Sequence, residues 1–164
     1  MKKKLKLDSV KIDNASRRVY GLIITLALII SLEGYVQSSF SIIISILGTL
    51  FVIALAETYV KYVAETAKKK QRLRSRELIE IIKEEFVIMF SSEIPVLLFF
   101  LEIINIISID TAFFLSKVLG IFALFVFGFI LGCLLEKRLI KRIIFGSISA
   151  IFGLLIIALK IIFK

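Results

Sequence analysis

The stretch AFFLSKVLGIFALFVFGFILGCLL, Ala112 to Leu135, carries a single charge, Lys117, and contains no Pro, Asp, Asn or Gln. As an α-helix it would run about 36 Å at 1.5 Å per residue, more than the ~30 Å hydrocarbon core of a bilayer. Working outward, four further apolar runs of similar length appear at Val19 to Val36, Phe40 to Tyr62, Phe86 to Ile107 and Ile143 to Phe163. The chain is 59% hydrophobic with a mean hydropathy of +1.00. Soluble domains are roughly 45–50% apolar, so one small core cannot hide this excess and the bilayer must act as solvent. The expected fold is therefore all-α: a polytopic membrane bundle of five transmembrane helices. Residues 1–18 read as a basic cytoplasmic arm and residues 19–164 as one membrane domain.

Orientation follows from the connectors. Gln37-Ser38-Ser39 and Ser108-Ile109-Asp110-Thr111 are so short that the helices they join must be antiparallel neighbours, and neither holds a basic residue. The other segments are rich in them. The arm carries Lys2, Lys3, Lys4, Lys6, Lys11, Arg17 and Arg18, the second connector Lys68, Lys69, Lys70, Arg72, Arg74 and Arg76, and the fourth Lys137, Arg138, Lys141 and Arg142. The positive-inside rule then predicts a multi-pass protein of the cell membrane with its N-terminus cytoplasmic and its C-terminus outside, only Lys160 and Lys164 falling on the wrong side. The first run is longer than a signal-peptide core and no A-x-A site follows it, so it is expected to stay as a span. The net charge of +9 is concentrated where topology requires it, without interleaved aromatics. It points to anionic lipids at the basic arms rather than to nucleic acid.

The connector over residues 63–85 reads as helix, with Ser75 as N-cap. Leu78, Ile81, Ile82 and Phe86 recur at helical spacing opposite Glu77, Glu80 and Glu84, which predicts a short cytoplasmic amphipathic helix between spans two and three. Its carboxylates either gather a divalent cation, since hard cations need several oxygens on one face, or form a solvated face balanced by Arg72, Arg74, Arg76 and Lys83.

No His is present, which removes serine and cysteine relays, His-ligated zinc or haem, and imidazole proton shuttles. Cys133 lies alone in an apolar run and reads as a small packing residue. No nucleophile, base and orienting group occur together, so the chain is expected not to be an enzyme and to hold no cofactor. Ionisable residues inside spans cost about 2.5–3.5 kcal/mol each on insertion scales and are site candidates by default. Counting residues from the span ends places Glu57 and Glu93 at one level, and Glu102, Lys117 and Glu33 at another. The second group is expected to be a structural charge cluster in which Lys117 pairs with Glu102, with Glu33 as a further partner. Glu57 and Glu93 either approach each other, and must then share a proton or a cation, or snorkel to the interface, Glu57 towards Lys61. Pro95 either frees carbonyls near Glu93 or marks the start of the third span.

Small residues four apart allow helices to approach closely. Gly128 and Gly132, with Gly146 and Gly153, mark expected packing faces of the fourth and fifth spans, and Ser41, Ser45 and Gly48 mark one on the second. Packing within the chain is expected for the last two spans. Five spans enclose little interior, so a homodimer is expected for any translocating function.

Arg17-Arg18-Val19-Tyr20-Gly21, then Ala56-Glu57-Thr58-Tyr59-Val60-Lys61-Tyr62, the charged connector, and the final hairpin from Ala123 through Gly128 and Gly146 to Gly153 together resemble the five-span vacuolar iron transporter (VIT-like) family. The pattern is also similar to small bacterial integral membrane proteins of unknown function. The VIT-like resemblance implies a dimer that exchanges a divalent cation, as substrate, for protons. Glu57 would match the acid near the end of the second span, and Glu77, Glu80 and Glu84 the connector acids. Leu22-Ile23-Ile24 stands where the family has a first-span acid, and the second span has no Met. The alternative is a non-catalytic membrane scaffold or accessory subunit with structural charge pairs.

Overall fold

In the computed structural model the described residues are 2–35, 38–136 and 138–162, with side chains described from Ile12 onward except that of residue 161. Val36, Gln37, Lys137, Phe163 and Lys164, which enter the expected span ends and connectors, lie outside them. All regular structure among the described residues is helical: α1 (Lys2–Leu32), α2 (Ser39–Lys69), α3 (Ser75–Glu85), a 3-10 segment (Phe86–Ser92), α4 (Glu93–Ile103), α5 (Ile109–Leu135) and α6 (Leu139–Ile162). Five units are long and apolar enough to cross a membrane: Ile12–Leu32, Ser39–Lys69, Ser75–Ile103, Ile109–Leu135 and Leu139–Lys160.

Helix α1 runs through the basic arm into the first span, since no Gly or Pro precedes Gly21 and lysine is a good helix former. Two other features differ from expectation. The connector is not one helix. Lys70 takes a left-handed conformation (φ 51) and stops α2, and α3 begins afresh at Ser75. Its cap is Arg74, not Ser75: the extended Arg74 backbone donates its N–H to the Glu77 carboxylate at 3.0 Å, satisfying one orphan donor of the first turn. The third span is also interrupted. Residues 86–92 take 3-10 geometry and α4 starts at Glu93, with Pro95 in its first turn, where its missing N–H is tolerated. At 1.5 Å and 2.0 Å per residue, α4 covers about 16 Å and the 3-10 segment about 14 Å, so together they match the hydrocarbon thickness.

Helix α1 is central, touching α2, the 3-10 segment, α5 and α6. On one side Ile29 packs in a cluster with Ile42, Ile46, Leu50 and Ala54 of α2, Leu98 and Phe99 of α4, and Ala112 and Phe113 of α5. Phe99 and Phe113 meet edge to face with centroids 5.0 Å apart. On the other side Leu22 and Leu26 pack against Ala123 and Leu124 of α5. Helices α5 and α6 share the most extensive contact, and their glycines allow a close approach. A Cβ on Gly132 would lie 2.8 Å from Arg142 Cα, one on Gly146 2.8 Å from the Phe125 carbonyl oxygen, and one on Gly153 2.6 Å from Leu124 Cδ1. One on Gly128 would overlap Ser149 and sit 2.9 Å from the Phe145 carbonyl. The small-residue stripe on α2 behaves differently: Gly48 has nothing within 4 Å, and Ser45 and Gly48 line an open groove with Leu28 and Leu32. Cys133 is exposed instead of packed, because one residue beyond Gly132 the helix has turned about 100° away from α6.

Large apolar side chains cover the outside of the crossing units around α1, among them Phe51 and Val52 on α2, Leu97 and Phe100 on α4, Phe114 and Phe122 on α5, and Ile144, Ile148, Ile151 and Phe152 on α6. Water would penalise such a surface and lipid does not, so the five helices define a multi-pass integral membrane protein.

Candidate functional site

The polar centre of the molecule lies at the end of the bundle that bears the long connector. Glu85 closes α3, and only 5% of its side chain is exposed. The Arg17 guanidinium of α1 pairs with it, and Lys61 Nζ of α2 lies 3.5 Å from its second oxygen. Lys61 also bonds Glu84. Two cations and two carboxylates thus tie α1, α2 and α3 into one network. Next to it, Ser91 of the 3-10 segment donates to the Arg18 carbonyl at 3.1 Å, and Gly21 lets the segment approach: a Cβ there would stand 2.7 Å from Ile88. The Arg18 guanidinium lies over the rings of Phe90 and Phe127, at 5.7 and 5.5 Å from their centroids.

An open cavity of about 410 Å³ adjoins this network, lined by Ser16, Arg17, Tyr20, Glu57, Glu85 and Ile88. Glu57 and Tyr20 form its exposed side, and buried Glu85 its floor. Glu57 makes no ion pair among the described residues. The expected reach of Glu57 to Lys61 does not occur, because Lys61 is taken by Glu84 and Glu85. Glu93, the first residue of α4, is exposed and is not part of the cavity wall.

The connector acids do not gather. Glu77 is held by Lys69 at 2.8 Å and by the Arg74 N–H, Glu84 by Lys61, and Glu80 is exposed. Among the described residues no group of three or more acidic or thiol side chains is placed to hold a metal ion. The break at Lys70 is the cause: it folds α3 back along the end of α2, where basic residues meet the glutamates first. At the opposite end Lys117 pairs with Glu33 at 2.6 Å. Glu102, expected as its main partner, forms no ion pair among the described residues. Gly120, one turn from Lys117, rests on Leu26, so this side of α5 faces α1 and Lys117 reaches the acid just past the end of α1.

Sequence reasoning missed the Arg17–Glu85 pair. Its trace is positional: Arg17-Arg18 and Glu84-Glu85 each directly precede an apolar run, so they share a level when those runs pack side by side. The chain matches no protein-family model, no curated protein and no solved structure.

Proposed function

We propose that this multi-pass membrane protein is a non-catalytic scaffold or accessory subunit whose embedded charges lock its helices together. The observation that carries this reading is the network in which Arg17, Lys61, Glu84 and Glu85 neutralise one another across three helices. Buried pairs of opposite charge best serve register, since isolated charges there are costly. The Lys117–Glu33 pair does the same between α5 and the end of α1. The basic segments support a cell-membrane protein with the N-terminus in the cytoplasm and the C-terminus outside.

Divalent-cation transport, implied by the VIT-like resemblance, retains one supporting observation: Glu57 lines a cavity without an ion partner. Cation-driven flux in proteoliposomes discriminates between the two readings, with iron(II), manganese(II), cobalt(II) and zinc(II) tested with and without a proton gradient. The scaffold reading expects no flux from folded protein with any of them. Flux that vanishes in Glu57→Gln would overturn it.

A further inference from the structure

Glu57 stands apart from the neighbouring carboxylates. Glu84 and Glu85 meet Lys61 and Arg17, and Glu77 meets Lys69, whereas Glu57 lines the cavity without an ion pair among the described residues; Arg17, in the same wall, is paired with Glu85, although its Nε–H has no partner. Arg17 and Lys61 balance Glu84 and Glu85, which leaves the cavity and its network with one net negative charge, on Glu57. Glu57 lies 18 residues beyond Ser39, about 27 Å along α2, so this charge sits close to one boundary of a ~30 Å hydrocarbon layer. This carboxylate, exposed at that boundary and bordering an open cavity, is placed to meet a cation.

The shape and chemistry of the wall narrow the cation. A volume of about 410 Å³ is many times the ~30 Å³ share of one water molecule and falls within the range of small-molecule sites. A hard divalent ion takes six or more oxygen ligands, and the wall offers one carboxylate that is not already paired and the hydroxyls of Ser16 and Tyr20. The apolar surface the wall exposes comes mainly from the Tyr20 ring, 44% exposed, since Ile88 is buried in the core behind it. An aromatic face attracts cations and tolerates apolar bodies at once. We infer that the cavity between α1, α2 and the 3-10 segment binds a monovalent organic cation, an amine or onium group with an apolar body. Its charge lies on Glu57 and its body rests on the Tyr20 ring. This property is separate from the scaffold reading, which requires no ligand.

The test is equilibrium binding of radiolabelled tetraphenylphosphonium to the full chain in lipid nanodiscs. Saturable binding at one site per chain is expected, weakened at least tenfold by Glu57→Gln, largely kept by Glu57→Asp and weakened several-fold by Tyr20→Leu. A second measurement needs no variant: carbodiimide modification of Glu57 in the unaltered protein should be slowed by tetraphenylphosphonium and not by equal manganese(II). The inference is overturned if folded protein shows only unsaturable partitioning, if Glu57→Gln binds as the parent does, if carbodiimide modification is not slowed, or if manganese(II) displaces the phosphonium at micromolar concentration.

Discussion

Replacing Glu85 with Met removes the carboxylate shared by Arg17 and Lys61 and leaves the Arg17 guanidinium without its partner. Only 5% of the Glu85 side chain and 21% of the Arg17 side chain are exposed. Removing one member of a buried pair typically costs 3–5 kcal/mol, and the residual exposure of Arg17 places the expected loss near the lower end, about 3 kcal/mol. That is roughly two decades in the folding equilibrium. Lys61 keeps Glu84 and so limits the damage on α2. The double variant Arg17→Met with Glu85→Met exchanges the pair for apolar volume, which is commonly neutral or stabilising, so it should recover most of the loss. Far-UV circular dichroism during SDS titration in mixed micelles reads the four corners of this cycle. A coupling of about 2 kcal/mol or more is expected between the two sites. Single variants within about 0.5 kcal/mol of the parent, or a double variant equal to the sum of the singles, would refute the reasoning, because the network would then not hold the helices.

The glycines give a paired prediction in the same assay: Gly128→Ala should lose about 1–3 kcal/mol through overlap with Ser149 and the Phe145 carbonyl. Gly48→Ala, with nothing within 4 Å, should leave the monomer unchanged or raise its stability by about 0.5–1 kcal/mol through helix propensity. At the other end of the bundle, Lys117→Ala should destabilise more than Glu102→Gln, since Lys117 bonds Glu33 and Glu102 forms no ion pair among the described residues. Equal effects, or the reverse order, would return Glu102 to the cluster. Gly21→Val should loosen the 3-10 segment from α1, seen as faster amide exchange over residues 86–92, because a side chain there would enter the space of Ile88 and Ser91.

The five crossing units were legible because transfer into lipid is close to a per-residue property, and runs such as Ala112 to Leu135 show it without any knowledge of partners. The glycines of α5 and α6 were legible for a related reason: a missing Cβ at Gly128 or Gly146 is an invitation to close packing whichever helix arrives. The breaks were harder to read. Lys70 stops a helix without Gly or Pro, and the stretch from Phe86 to Ser92 takes 3-10 geometry with no Gly or Pro within it. Charge partners were least legible. Level matching by counting residues placed Glu57 with Glu93, and Lys117 with Glu102 and Glu33. In the folded chain Glu93 is absent from the wall of the cavity that Glu57 lines, and of the two acids level with Lys117 only Glu33 pairs with it among the described residues. Depth along a helix says nothing about which face a side chain takes. Arg17 and Glu85, 68 positions apart, are brought together by the turn at Lys70 that returns α3 to the bundle.

A bundle that crosses the membrane five times has the residue 70–74 turn and the residue 104–108 turn on opposite sides. Single cysteines at the exposed positions Gln71 and Ile106, in a Cys133→Ser background, test it with a membrane-impermeant maleimide applied to intact cells and to inverted vesicles. Ile106→Cys is expected to be labelled only in intact cells and Gln71→Cys only in inverted vesicles. Labelling of both positions from the same face would contradict the five-span arrangement.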